Sequence, residues 1–249
     1  MVQKKINADD ISVAACGDGV GLFYQDIILK TPGQHDWIVP THELAADILD
    51  EFRTYEVLTD HTPDNVIEQM PFTRLALMSL DWVHEHKQET IQSMLDYVDT
   101  DLLCYRAKAP ESLCKKQHDV WDPLLSWAKI QHGLVFEMTE SLAPLHQNAE
   151  VLQRVQKKLA ACDDFTIAGL RTLIEKTKSI VLSFALMEDV VSSKQGVRAA
   201  ELEELYQREY WGETDEDRVA IAQKEEEINQ IVHYLHVVRE SNGNRSQHS

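Results

Sequence analysis

Apolar and polar residues change rhythm once along this chain. The run Gly21-Leu22-Phe23-Tyr24-Gln25-Asp26-Ile27-Ile28-Leu29-Lys30 is rich in aromatic and β-branched residues, which suit strands. Thr31-Pro32-Gly33-Gln34 then supplies a turn, because Pro fixes φ at one corner and Gly permits positive φ at the next. The chain returns from His35 to Val39 with Trp37, Ile38 and Val39, so a hairpin is predicted. A helix is predicted from Pro40-Thr41, with Thr41 as its N-cap and Leu44, Ala45, Ile48, Leu49 and Phe52 on one face. After Val57 the pattern changes: Pro63 and Pro71 punctuate a polar link, and from Phe72 onward apolar residues recur at helical spacing.

Leu75, Met78, Ser79 and Trp82 mark one helix, and Ile91, Met94, Leu95 and Val98 another. Asp122-Pro123 reads as a helix start, since Pro is tolerated at the first helical position and Asp accepts free N–H groups; Gly133 reads as a stop. Val151, Leu152, Val155 and Leu159 form a stripe after Asn148. Helices follow over Ile167 to Ile174, Ile180 to Met187 and about Lys194 to Tyr210. A last helix carries Val219, Ala222, Ile228, Ile231, Val232, Leu235 and Val238. The expected fold class is α+β: a small N-terminal α/β domain with a β-hairpin or small sheet, followed by a larger C-terminal all-α helical bundle. The expected divisions are a flexible leader over 1–20, a β-rich domain over 21–70, a helical domain over 71–240 and a disordered polar tail over 241–249.

Composition narrows the partners. Of 249 residues, 24 are Lys or Arg and 42 are Asp or Glu, for a net charge of −18. That balance argues against a nucleic acid or an anionic membrane surface and leaves a basic protein partner open. Cys16, Cys104, Cys114 and Cys162 show no paired spacing and read as reduced thiols. No stretch approaches the 18 or so apolar residues of a membrane span. Met1 to Asp10 has Lys4 and Lys5 but no apolar core behind them, so neither a secretory signal nor a transit peptide is expected. A bacterial cytoplasm, or a mitochondrial matrix if the source is eukaryotic, is the expected location.

The candidate chemistry is sparse. Gly17-Asp18-Gly19-Val20-Gly21 lacks the Lys-Ser or Lys-Thr of a phosphate loop and the spaced third glycine of a dinucleotide site, and reads as a flexible lead into the first strand. His84 and His86 point to different sides of a helix; Cys114 and His118 can share a face, but no second ligand pair accompanies them. Cys104 between Leu103 and Tyr105 reads as a buried structural thiol. Glu203 and Glu204 read as solvated helix surface. Trp121 and Trp127 read as core, or as anchors for a partner if exposed. These residues show no catalytic apparatus, and no cofactor or metal is expected.

Several segments together resemble a known family. They are Thr100-Asp101-Leu102-Leu103-Cys104-Tyr105-Arg106; Gln117 with Trp121-Asp122-Pro123-Leu124-Leu125 and Trp127-Ala128; Leu29-Lys30-Thr31-Pro32 with Val39-Pro40 and Leu44-Ala45; Met70-Pro71, Thr73, Leu75-Ala76 and Asp81; Pro144 and Gln147; and Glu203-Glu204, Tyr206-Gln207 and Trp211-Gly212. Over roughly residues 21 to 240 they are similar to the ATP synthase assembly chaperones specific for the α subunit of the catalytic F1 sector. The resemblance implies a non-enzymatic, monomeric chaperone that binds free F1 α subunit and shields its β-facing surface until assembly. It implies partner contacts at Glu203, Glu204, Gln207 and Trp211. It implies a scaffold role for Asp101, Tyr105, Arg106, Gln117, Trp121, Asp122, Trp127 and Gln147. Three departures stand out: Phe52 where the family usually has Trp, Lys178-Ser179 where Gly-Ser is usual, and Glu140-Ser141-Leu142 in place of a Gly-containing turn. The alternative from another class is a metal- or thiol-dependent enzyme built on Cys104, Cys114 and nearby histidines.

Overall fold

The computed structural model describes residues 8–55, 64–141 and 143–245. Lys4, Lys5, Val57, Pro63, Leu142 and residues 246–249 of the expected tail lie outside the described residues. The chain forms two compact units: 1–87 with 164–169 and 233–249, and 88–163 with 170–232. The boundary expected near residue 70 falls inside the first of these.

The first unit holds a four-stranded antiparallel sheet. β1 (Ile11–Cys16) and β2 (Gly19–Tyr24) pair from Ile11↔Tyr24 to Cys16↔Gly19. The two-residue loop Gly17-Asp18 closes this hairpin, with Gly17 at φ 58°. Within the expected flexible leader, Ile11–Cys16 is therefore a strand and Gly17 turns the hairpin, while Gly19 and Gly21 lie in β2. β3 (Ile27–Ile28) and β4 (Ile38–Val39) both pair with β2. Between them the Thr31-Pro32-Gly33-Gln34 turn forms, with the Gln34 N–H on the Thr31 carbonyl at 2.9 Å, but the positive φ expected at Gly33 falls on Gln34, at 67°. α1 (His42–Thr54) starts at Thr41, whose hydroxyl accepts from the Leu44 N–H at 3.2 Å. Its predicted face is buried, and Phe52 meets the Trp37 ring edge-on at 5.5 Å.

The short α2 (Asp64–Ile67) precedes α3 (Pro71–Leu77). Met70 offers α3 no side-chain cap. The buried Glu51 of α1 does this instead, accepting from the Phe72 and Thr73 N–H groups at 2.8 and 2.7 Å. Burial raises the Glu51 carboxyl above its ordinary range, and these donors oppose the shift. A π-helical stretch, Met78–Val83, continues α3. Its Asp81 ties down the β3–β4 turn by accepting from the Thr31 hydroxyl and from the Gly33 N–H at 3.1 Å.

The second unit is helical. Its elements are the end of α4 (His84–Asp99), a 3-10 turn at Leu102–Cys104, α5 (Glu111–His132), α6 (Ala149–Ala160), most of α7 (Asp164–Thr177), α8 (Ile180–Met187), α9 (Ser193–Ala200), α10 (Leu202–Trp211) and the first part of α11 (Asp215–Arg245). Every residue of α8 is buried, which suits a helix apolar all round. The backbone of α11 stays helical to Arg245, inside the stretch expected to be a disordered tail.

Two expectations about helix ends are corrected. Asp122-Pro123 does not start a helix: α5 begins at Glu111, and Pro123 lies inside it. Proline there costs one backbone hydrogen bond, but a buried stripe of Gln117, Trp121, Leu124 and Ala128 runs past it and holds the helix together. The expected helix from Lys194 to Tyr210 is broken at Glu201 (φ −101°, ψ 20°) into α9 and α10. The Trp121 indole N–H donates to the Ala199 carbonyl at 2.9 Å, supplying a partner for backbone freed at the break. Gly133 ends α5 as expected, at φ 65°.

Candidate functional site

Most motif residues of the second unit are linked into a frame, while Trp127 stands apart from it beside His132. Asp101 is fully buried, and its carboxylate accepts from the Leu103 N–H at 3.0 Å and from the Val181 N–H, at the start of α8, at 3.2 Å. Burial raises its carboxyl to about 6, with the Ser179 hydroxyl and neighbouring N–H groups opposing. The Tyr105 hydroxyl donates to the Asp99 carbonyl at 2.9 Å and accepts from the Leu145 N–H at 3.1 Å. Arg106 pairs with Asp122 at 2.7 Å, lies over the Trp121 ring at 5.2 Å and donates to the Leu103 carbonyl at 2.8 Å. The Gln147 amide spans both backbone groups of Glu137 at 2.8 and 2.9 Å, fixing the extended stretch after α5. Trp121 is fully buried; Trp127 is half-buried, edge-on to His132 at 4.9 Å.

The frame ends at α10. The buried Gln117 accepts from the Ala107 N–H at 2.8 Å and donates to Glu203 Oε1 at 2.6 Å. Burial raises the Glu203 carboxyl, the neighbouring Glu204 charge adds to that, and the Gln117 amide opposes it. Leu202 and Tyr206 face the core, and the Tyr206 hydroxyl lies 2.5 Å from that of Ser112. The outward side follows helical spacing: Glu203, Glu204, Gln207 and Trp211 fall on one continuous stripe. Tyr210, which sequence reasoning missed although the same spacing includes it, is 66% exposed, and Trp211 is 89% exposed. Glu203 and Glu204 also line a cleft of about 420 Å³ with Leu102, Trp121 and Ile228.

The thiol and metal alternatives are poorly served. Cys104 is fully buried, and burial pushes its thiol up, with the Asp101 charge adding to the shift and Arg106 opposing it. The Cys114 thiol is engaged with the Ala107 carbonyl at 3.0 Å. His84 faces Asp164 at 3.1 Å, while His86 stacks on Trp82 at 4.1 Å, so the two imidazoles diverge. Among the described residues no three His, Cys, Asp or Glu side chains gather as a metal would need. Among the same residues no helix is long and apolar enough to cross a membrane.

The profile of a family described as ATP12 chaperone protein matches residues 13–129. The crystal structure of Atp12 from Paracoccus denitrificans superposes with a TM-score of 0.82 at 26% identity, covering 95% of this chain and 99% of that one. The chain thus resembles the ATP12 chaperone family, in sequence over residues 13–129 and in structure over nearly its whole length. A lysine-for-aspartate mutant of P. denitrificans Atp12p gives a TM-score of 0.81 at 26% identity, covering 92% and 96% of the two chains. The Atu1473 protein of Agrobacterium tumefaciens gives 0.79 at 27% identity, covering 92% and 84%. The ATP12 profile takes in most of the sheet and the residues from Asp101 to Trp127, whereas α10 lies beyond it.

Proposed function

We propose that this protein is an ATP12-family assembly chaperone for the catalytic sector of ATP synthase. In this reading it acts as a monomer, binds free F1 α subunit and shields the surface that later meets β. An unpaired subunit exposes apolar interface that aggregates, so a binder that covers it and then yields is physically useful. The observation that carries the reading is the outward stripe of α10, an exposed face held in place by a buried frame through the Gln117–Glu203 hydrogen bond. The location that goes with this role is the bacterial cytoplasm or, in a eukaryote, the mitochondrial matrix.

Co-expression with α and with β separately tests the proposal. Soluble α, but not β, is expected to co-purify with this chain. Capture of both subunits alike would make it a general holdase, and capture of neither would end the reading. Glu203→Lys is expected to keep the fold, because the side chain sits at the surface end of the frame, and to weaken α capture at least tenfold. Full capture by a folded Glu203→Lys protein would remove Glu203 from the contact.

A further inference from the structure

Charge pairing around α10 has a local exception. Glu201 pairs with Lys224 at 2.6 Å, Asp217 with Arg208 at 3.4 Å and Asp215 with Arg218 at 2.5 Å, while Glu209 pairs with Lys116 and Glu227 with Lys176. Glu203 has only the neutral Gln117 amide, and among the described residues Glu204 has no cation within pairing distance. Both carboxylates line the cleft whose apolar wall includes Leu102, Trp121 and Ile228; of its three lysines, Lys176 and Lys224 are in ion pairs and, among the described residues, Lys178 is not. At the other end of the same helix, Tyr210 and Trp211 stand in water. Seven to eight residues of helix separate the two ends, about 11 Å.

We propose that the outward stripe of α10 docks a client segment carrying an arginine, which enters the cleft beside Glu203 and Glu204, and a large apolar residue, which packs on Tyr210 and Trp211. The inference rests on the chaperone reading for its client and adds the chemistry of the contact. Arginine fits because its planar guanidinium can meet two carboxylates at once while its stem lies along an apolar wall. The aromatic end supplies the kind of rigid anchor that dominates protein interfaces. Spacing selects the segment: the two groups stand about 11 Å apart, roughly three residues along an extended strand or seven to eight along a helix.

The test uses the full chain and fluorescein-labelled twelve-residue peptides bearing one Arg and one Phe at varied spacing, read by anisotropy at low salt. The best-spaced Arg/Phe peptide is expected to bind at least tenfold more tightly than the same peptide with citrulline for Arg, Glu for Arg or Ala for Phe. A Lys-for-Arg peptide is expected to bind more weakly than the Arg peptide. Trp211→Ala and the double variant Glu203→Gln/Glu204→Gln are each expected to lose at least tenfold, whereas Trp82→Ala, an exposed tryptophan in the other unit, is expected to bind as the parent does. Equal binding of the citrulline peptide, or equal binding by the α10 variants, overturns the inference. Capture of F1 α, measured in parallel, separates the two claims. If the parent captures α and the α10 variants capture it equally, the docking surface is wrong and the chaperone reading stands. If the parent captures no α, the chaperone reading falls, and the peptide arms decide the surface on their own.

Discussion

Asp101→Asn tests a fully buried carboxylate of the second unit. The carboxylate ties the 3-10 turn at Leu102–Cys104 to the start of α8, with one oxygen on each. An amide keeps one acceptor but turns an NH2 toward an N–H donor, which loses one hydrogen bond and leaves a buried donor unpaired. At pH 7 this is expected to cost about 1–3 kcal/mol. The pH dependence is the sharper readout. Folding raises this carboxyl from an ordinary 3.8 to about 6, chiefly through burial. The native state therefore holds the proton more tightly than the unfolded chain does. Asp101 favours folding most below pH 3.8, and that contribution is lost as pH rises to about 6. Over this interval, at about 1.4 kcal/mol per pH unit, the change is about 3 kcal/mol. Urea denaturation of both proteins from pH 4 to 7.5 reads it directly, because every other carboxylate titrates alike in the two chains and cancels in the difference. The stability gap is expected to widen by up to about 3 kcal/mol as pH falls. Parallel profiles would refute the reasoning about burial. An Asn variant more stable than the parent at pH 7 would refute the reasoning about the N–H donors.

Other consequences can be measured in the same way. Trp121→Ala, at a fully buried ring that also serves the Ala199 carbonyl, is expected to lose about 3–5 kcal/mol in urea denaturation, whereas Trp211→Ala is expected to stay within about 0.5 kcal/mol. Lys178 adopts φ 56°, a left-handed conformation that glycine accepts without strain. Lys178→Gly is expected to raise stability by up to about 1 kcal/mol, because relief of strain of about 1–2 kcal/mol outweighs the added chain entropy; a loss of stability would show that the strain is absent. In thiol labelling of the native protein, Cys16, Cys114 and Cys162 are expected to react well ahead of the buried Cys104, and modification of Cys104 before unfolding would contradict its burial.

Local pattern carried much of the fold. The α1 face from Leu44 to Phe52, the Thr41 cap, the Gly133 stop and the bounds of α8 were all legible, because each depends on neighbours within a turn or two. The failures share a different cause. β1 has small residues at Ser12, Ala14 and Ala15, so its strand character comes from pairing with β2 and not from propensity. Pro123 looked like a helix start because its own preference was read, whereas the stripe from Gln117 to Ala128 decides the matter. The break at Glu201 and the capping of α3 by Glu51 depend on side chains far away in sequence, Trp121 and Glu51 itself, and no local signal announces them. Lys178 is instructive in the other direction. Its place opposite a usual Gly-Ser pair already hinted at a backbone that glycine would suit, and the positive φ gives that hint a physical meaning.

The same division runs through the candidate site. Helical spacing alone aligns Glu203, Glu204, Gln207, Tyr210 and Trp211, so the existence of a stripe could be read from sequence. What could not be read is which face of α10 is turned outward, and which of the many carboxylates nearby go without a cation. Leu202 and Tyr206 settle the first by taking the core side. The ion pairs of Glu201, Glu209, Asp215, Asp217 and Glu227 settle the second, since they take up Lys224, Lys116, Arg218, Arg208 and Lys176 and leave Glu203 and Glu204 without a cation among the described residues. An acidic protein has carboxylates to spare, so an unpaired one carries little weight alone. Two of them at the mouth of a partly apolar cleft, one held by a buried glutamine and both in line with an exposed tryptophan, make a surface with direction and spacing. A solvated helix face needs neither, which is why the position of the arginine relative to the apolar residue, and not binding as such, is the decisive variable in the peptide series.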